Sequence, residues 1–445
     1  MSQTAPTNDL ELTGEQVHVV IHRKPGCRIQ MDVRTNATML KEAQKNAVKT
    51  VSKEISLPGF RKGRAPDEMI LKKFPNDVEK QLHKAVADLA FIAAQKVAKV
   101  PVLNNNSPIS FDMKKKSAEG AEVAFSFETE PTIPQVDPKG FVAKPVERAE
   151  VAEKQIEEAI RQMRFFYAQW TPVQDRPIQD GDYIMIDLDT VDGDVVQNVF
   201  HHIRFEVSKE RMANWMKNLV KGAKAGDVLD GLSEPDETAT EEEKKEFKPK
   251  NIRLSVLKVE EAALPELDDE FAKKVGAVDV AHMRQSISDL LNKQADDKVR
   301  NDLREQVNDY LVAEYLFDLP QSLIDAERKH RLSQLTQDKR FKADWQKMSQ
   351  EERKTLEEKL IDEASQAVRI FYLSRQIVQS QKIPVTHQEV QNEAISVYQS
   401  HGAQGGDVDQ MPKEIYALAL SKVILSKAQD FIIHSSGSTE QKSLK

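Results

Sequence analysis

The sequence predicts a multidomain α+β protein, with an α+β domain at the amino end, a smaller α+β domain in the middle and an all-α domain at the carboxyl end. Three observations predict it. The chain has 445 residues, too many for one ordinary core and enough for about three domains at roughly 150 residues each. Apolar and polar residues alternate near the start and around 183–191 and 251–259, whereas beyond 264 the apolar positions recur at helical spacing. Prolines and Asp-Gly pairs stand where the pattern changes. The expected divisions are 1–130, 131–177 as an extended linker and connecting helix, 178–262, 263–434, and 435–445 as a disordered tail.

Taken in order, residues 15–33 alternate as a half-buried strand does, with Val17, Val19 and Ile21 on one face. Met39, Leu40, Ala43, Ala47, Val48 and Val51 predict a helix over 39–55, with Thr35 or Asn36 as its cap. Helices follow over 65–74 and 78–100, the second stopped by Pro101, and strands return over 109–113 and 123–129. Pro131, Pro134, Pro138 and Pro145 favour an extended connection. A helix over 152–170 carries Ile156, Ile160, Met163 and Tyr167 on one stripe. Asp180-Gly181-Asp182 and Asp192-Gly193-Asp194 predict turns on either side of a strand over 183–191, and 251–259 reads as a second strand.

After Leu264-Pro265-Glu266-Leu267 one amphipathic face begins at Met283, Ile287, Leu290 and Leu291 and continues through Val299, Leu303, Val307, Tyr310 and Leu311. Further helices fit 321–335, 351–381, 386–400 and 413–433, with Pro320, Pro384 and Pro412 at the joints. No fixed repeat period emerges, which disfavours a solenoid.

Composition narrows the function classes. Charged residues make up 31% and the apolar set 39%, with a mean hydropathy of −0.56, as for a polar but foldable chain. The net charge of −8 argues against non-specific nucleic-acid binding by the whole molecule, although residues 1–130 hold 20 Lys and Arg against 16 Asp and Glu. Cys27 is the single cysteine, so a disulfide within the chain, a redox pair and a Cys-based zinc site are all excluded. The first twenty residues lack a basic start followed by an apolar run, and no stretch of about 18 apolar residues occurs. A cytoplasmic location is expected. Neither a Walker loop nor a dinucleotide fingerprint is present; Gly402 to Gly406 lacks the Lys-Ser/Thr, and Gly222 to Gly226 reads as a turn. His201-His202 has no Cys or spaced His-carboxylate set in the sequence and reads as surface imidazoles, and His18 and His22 share a strand face without evident partners. No cofactor and no metal are expected.

The most informative stretch is 58–66, Pro-Gly-Phe-Arg-Lys-Gly-Arg-Ala-Pro. Pro58 and Pro66 bracket it, and Gly59 and Gly63 free its backbone, so a tight tip between two helices is expected. Two placements of Phe60 are open. It can fold back into the core, or it can face outward beside Arg61, Lys62 and Arg64. Outward, it offers about 1.5–3 kcal/mol of apolar burial on docking, and each charge-assisted hydrogen bond to a carboxylate or phosphate adds about as much.

This stretch resembles the ribosome-binding signature of bacterial trigger factors, matching at Gly59, Phe60, Arg61, Lys62, Gly63 and Pro66, with Arg64 inside it. The resemblance extends over nearly the whole chain. It implies an N-terminal ribosome-binding domain, a middle peptidyl-prolyl isomerase domain of the FK506-binding type, and a helical body with arms that cradles unfolded chain. The implied partners are ribosomal protein and rRNA near the exit tunnel, together with nascent and unfolded polypeptides. DNA and membrane are not among them, and a homodimer of the free protein stays open.

The middle scaffold is visible as Asp180-Gly181-Asp182, Ile186-Asp187, Asp192-Gly193, Lys221-Gly222, Ala225-Gly226-Asp227 and Lys258-Val259-Glu260-Glu261. Such isomerases enclose the proline in aromatic walls and lower a rotation barrier of about 18–20 kcal/mol without a covalent intermediate. Trp215 matches the aromatic floor. Leu188 stands where the family has an aromatic, followed by Asp189-Thr190 in place of Thr-Gly, and Val196 and Gln197 replace an aromatic and an acid. Ile203 and Ile252 align with further wall positions, and the charged run 238–250 replaces a loop that normally supplies a tyrosine. The expectation is weak or absent catalysis on a fold kept for binding or spacing. The leading reading is an ATP-independent chaperone at the tunnel exit. Its rivals are an enzyme that is chiefly a proline isomerase and a helical scaffold unrelated to ribosomes. In the helical part, Phe371, Tyr372 and Ile377 are read either as a partly open apolar patch or as ordinary core.

Overall fold

The computed structural model describes residues 9–58, 60–192, 195–208, 210–235, 247–338, 341–342, 345, 347–400 and 411–436. The chain forms two compact units, one from Met1–Val146 with Asn301–Lys445 and one from Glu147–Arg300.

In the first unit an antiparallel sheet runs in the order β1-β2-β3-β5-β4, from β1 (Leu10–Thr13), β2 (Val17–Lys24), β3 (Arg28–Thr35), β4 (Ser110–Ser117) and β5 (Gly120–Glu128). The alternation read over 15–33 as one strand is two strands, β2 and β3, joined at Pro25-Gly26-Cys27, where Gly26 and Cys27 take positive φ and reverse the chain. Val19, Ile21, Met31, Val33, Val123 and Phe125 point to one face. That face is covered by α1 (Ala37–Glu54) and α3 (Pro75–Ala98) through Ala43, Ala47, Val86, Ala90 and Ala94, whose small side chains let the helices lie close. Asn36 caps α1, its Oδ1 accepting from the Met39 N–H at 3.0 Å. At Gly120 a Cβ would lie 1.8 Å from the Thr35 carbonyl oxygen, so only glycine fits where β5 begins.

The proline-rich stretch 131–146 is extended except for one 3-10 turn at Pro138–Gly140. It is anchored, with Val136 and Phe141 buried among Val307, Leu311, Leu373, Ile377, Ala428 and Ile432. The later helices of this unit are the second part of α7 (Val280–Glu314), then α8 (Gln321–Gln337), α9 (Gln350–Ser380), α10 (His387–Ser400) and α11 (Lys413–Ser435). Ser349 with Glu352 and Thr386 with Glu389 form reciprocal capping boxes at the starts of α9 and α10. Of the three side chains read as a possible patch, Phe371 is 38% exposed, whereas Tyr372 and Ile377 are core at 5% and 1%. The tail expected at 435–445 lies, from 437, outside the described residues.

The sheet and the helices of this unit meet at a polar joint. The N–H groups of Gly26 and Cys27 donate to Asp318 Oδ2 at 2.7 and 3.2 Å, and the Cys27 thiol donates to the Asp318 carbonyl at 3.2 Å. Glu128, at the end of β5, accepts from the Ser322 N–H at the start of α8. Burial, with Asp318 and Glu128 nearby, pushes the Cys27 thiol up to about 12.

The second unit holds a sheet in the order β6-β10-β7-β8, with β9 also on β10, from β6 (Gln169–Pro172), β7 (Tyr183–Asp192), β8 (Val195–Glu206), β9 (Val228–Leu232) and β10 (Asn251–Ala263). Ile184, Ile186, Leu188, Leu254 and Val256 form its core with Met212, Met216 and Val220 around the short helix α5 (Asn214–Val220). The helix expected over 152–170 ends earlier: α4 is Glu153–Phe166, and Trp170 lies in β6 opposite Ala262. The ring is held there by Tyr183, edge-on with centroids 5.2 Å apart, and by Arg204 3.8 Å above it, packing that local propensity does not encode. α4 packs through Ile156 and Ile160 on Phe271 of α6 (Asp269–Lys274) and on Met283 and Ile287 of α7.

Candidate functional site

α1 ends at Ile55 with extended backbone, and α2 (Asp67–Lys73) starts after Pro66. Between them the chain makes two tight reversals. The Phe60 N–H donates to the Leu57 carbonyl at 3.1 Å and the Arg64 N–H to the Arg61 carbonyl at 3.0 Å. A third bond, from the Gly63 N–H to the Ser52 carbonyl at 2.9 Å, folds the tip back on the last turn of α1. Gly63 needs φ of +76° to make it, which explains the glycine.

Anchoring and display are thus divided among neighbouring side chains. Leu57 is 6% exposed and Ala65 packs on the same core, while Phe60 stands 39% exposed with Arg61, Lys62 and Arg64 in solvent. Of the two placements open to Phe60, the outward one is found, because Leu57 occupies the apolar position beneath the tip. Among the described residues, Arg61, Lys62 and Arg64 make no side-chain hydrogen bond or ion pair, whereas Asp67 and Glu68 lie in the first turn of α2. The loop therefore presents three cations and one aromatic ring on a fixed backbone. Gly59 lies outside the described residues.

The positions matching an isomerase basin separate into two groups. Leu188 of β7 and Ile252 of β10 are buried in the second unit's core, and Trp215 of α5 packs half-buried against the same cluster. Val196 and Gln197 sit on β8 and are exposed, Val196 by 56%, and Ile203 is also exposed. Trp215 is the only aromatic among the matched positions. The turn residues Gly193 and Asp194 and most of the charged run 238–250 lie outside the described residues.

The Asp180-Gly181-Asp182 turn is structural. Arg176 grips Asp182 with two bonds of 2.7 Å, and the Gln179 N–H adds a third at 2.8 Å. Burial pushes the Asp182 carboxyl up, but Arg176 and the Gln179 N–H outweigh it and hold the group below the usual carboxylate range.

The histidines read as lacking partners do have them. His18 meets Glu11 at 2.7 Å, and His22 meets Asp9 at 2.6 Å and Asp32 at 3.3 Å through its two ring nitrogens. His201 and His202 both meet Asp187, which lies fourteen and fifteen positions upstream of them and is brought opposite by strand pairing. Linear spacing carries no signal for such a cross-strand trio.

Comparison with known proteins places the whole chain. The family model described as Bacterial trigger factor protein (TF) matches residues 17–163, and its C-terminal counterpart matches 279–430. Among curated relatives, Trigger factor of Chlamydia pneumoniae is 30% identical over 441 residues, covering 95% of each chain. Trigger factor of Protochlamydia amoebophila (strain UWE25) is 27% identical over 446 residues, covering 96% of this chain and 99% of the relative. The fold is shared with a solved structure described as "Promiscuous Substrate Recognition in Folding and Assembly Activities of the Trigger Factor Chaperone". That match has a TM-score of 0.52 at 18% identity and covers 96% of this chain and 99% of the other. Identity of 30% along nearly the full length, with both terminal family models in their expected places, shows that the chain belongs to the bacterial trigger factor family.

Proposed function

We propose that the protein is an ATP-independent, ribosome-associated chaperone of the cytoplasm that docks beside the exit tunnel through Phe60, Arg61, Lys62 and Arg64 and shields emerging polypeptides. The observation that carries this reading is the outward Phe60 among unpaired cations, on a tip whose backbone is tied to α1 by the Gly63 N–H. Ribosomal surfaces offer phosphates and carboxylates to the cations and an apolar crevice to the ring. Because the backbone is already ordered, little conformational entropy is lost on docking. The helical part of the first unit receives the client. Its exposed Leu316, Leu335, Ile361, Phe371, Leu418 and Leu420 supply apolar contact of the kind an unfolded segment needs, and among the described residues no helix is long and apolar enough to cross a membrane.

Catalysis of proline isomerisation is weak or absent on this reading. A thousandfold acceleration requires about 4 kcal/mol of differential stabilisation of the twisted peptide. With Leu188 and Ile252 committed to the core and Val196 and Gln197 in place of an aromatic and an acid, the matched positions hold one ring to provide it. Cosedimentation with ribosomes tests the docking reading: wild type should pellet and Phe60→Ala/Arg61→Ala/Lys62→Ala should stay in the supernatant. Equal pelleting of the two would overturn it.

A further inference from the structure

We propose that Asp187, His201 and His202 form a binding site for one divalent first-row transition-metal ion, with Zn2+ as the probe. The site is independent of the docking loop and lies on the sheet face opposite the second unit's core, because Asp187 alternates with the buried Ile186 and Leu188 along β7. The pairing of β7 with β8 is interrupted there. Ile186 faces Ile203 and Leu188 faces Phe200, so His201 and His202 together stand against the single residue Asp187. His202 adopts a positive φ of 54°, and this bulge turns both imidazoles toward one carboxylate, where an unbroken ladder would send them to opposite faces.

The donor geometry fits a metal. The Nδ1 atoms of His201 and His202 lie 3.1 and 3.4 Å from Asp187 Oδ1, and one donor atom from each residue can be chosen so that all three lie within 4.8 Å of one another. Donors bound to zinc at about 2.0–2.2 Å in tetrahedral array stand about 3.3–3.6 Å apart, so small movements close the set around an ion. The carboxylate is also oriented in advance, since the His202 N–H donates to Asp187 Oδ1 at 2.7 Å, the outer contact that fixes a ligating oxygen. Two imidazole nitrogens and one carboxylate oxygen suit Zn2+, Ni2+ or Cu2+ rather than Ca2+ or Mg2+. Side-chain exposures of 67% and 57% for the histidines and 21% for Asp187 leave the ion an entry path and an open position for water. Among the described residues no other trio of His, Cys, Asp or Glu converges in this way. At His22, Asp9 and Asp32 meet opposite nitrogens of the ring and cannot share one ion with it.

The test is equilibrium dialysis of the untagged full-length chain against Zn2+, with Co2+ absorption reporting the coordination. Wild type and His22→Ala should each take up one ion per chain, His201→Ala/His202→Ala none, and Asp187→Asn should bind roughly tenfold more weakly or worse. The exposed histidines can be removed without disturbing the core, and a circular dichroism melt of the double variant checks this. No saturable uptake by wild type, uptake retained by the double variant, or unchanged affinity in Asp187→Asn would each overturn the site.

Discussion

The loop at 58–66 and the second unit's positions that resemble an isomerase basin place their side chains in opposite ways. At the loop the backbone is fixed by three hydrogen bonds and the side chains stay in solvent, so the display survives as long as Leu57 and Ala65 hold the base. The basin-like positions do not converge: Leu188 and Ile252 are buried in the core while Val196 and Gln197 lie exposed on β8. A docking tip needs only exposed chemistry on a rigid base, whereas a catalytic basin needs a cavity that packing otherwise tends to fill. Aliphatic side chains such as Leu188 and Ile252 satisfy the core of the second unit without any aromatic wall.

The largest expected effect tests the loop side. Phe60→Ala/Arg61→Ala/Lys62→Ala removes one apolar contact and two cations, each worth about 1.5–3 kcal/mol when fully engaged, and should raise the ribosome Kd by at least about 30-fold. The melting curve should be unchanged, because none of the three side chains is buried. Titration of labelled protein with ribosomes reads the affinity, and a shift under threefold would place docking elsewhere and break the contrast.

The middle unit should instead respond through stability. Asp182→Asn leaves Arg176 and the Gln179 N–H with a poorer partner at a buried site and should cost about 1.5–3 kcal/mol in denaturant unfolding of this unit. The sign with pH follows from the lowered carboxyl: its contribution is present above the ordinary aspartate range and is lost as pH falls through the depressed folded value. Trp215→Ala comes next, at about 1–2 kcal/mol for a half-buried ring. Proline-limited refolding of a test substrate should differ less than twofold between wild type and this variant. Efficient catalysis abolished by Trp215→Ala would restore the basin and erase the difference between the two regions.

Much of this was legible in the sequence, and what was not shares one physical cause. Helices found over 37–54, 350–380 and 387–400 were expected over 39–55, 351–381 and 386–400 from periodicity, and Asn36 was one of the two caps expected for the first. The tip between Pro58 and Pro66 followed from glycine and proline chemistry. What eluded sequence was set by partners distant along the chain. Trp170 is in a strand because β10 reaches Ala263 and takes it as a partner, and Phe141 is core because helices more than 160 residues later close over it. His201 and His202 gain Asp187 only through strand pairing, and Tyr372 proves buried where Phe371 beside it does not.

The smallest effect sharpens the comparison by asking whether the helical part of the first unit carries a polar lock analogous to Asp182. Glu389 at the start of α10 receives Lys427 at 2.7 Å as well as the N–H and hydroxyl of Thr386, both at 2.8 Å, and is held down to about 2, with Lys427 the leading cause. A depressed carboxylate contributes stability above its unfolded value of about 4.3 and loses it as pH falls toward the folded one. Glu389→Gln keeps an acceptor for the capping box but removes the charge facing Lys427. At neutral pH the variant should melt slightly below wild type, and the gap should close between about pH 4.3 and about pH 2, because wild type alone loses the interaction there. The Glu389 side chain is 41% exposed, so the gap is small and shrinks in high salt, unlike that of Asp182→Asn, whose partners are bound at a buried carboxylate. No gap at neutral pH would show that Glu389 acts through its cap alone, whereas a gap that salt does not alter would give the helical part a lock of the same kind as Asp182.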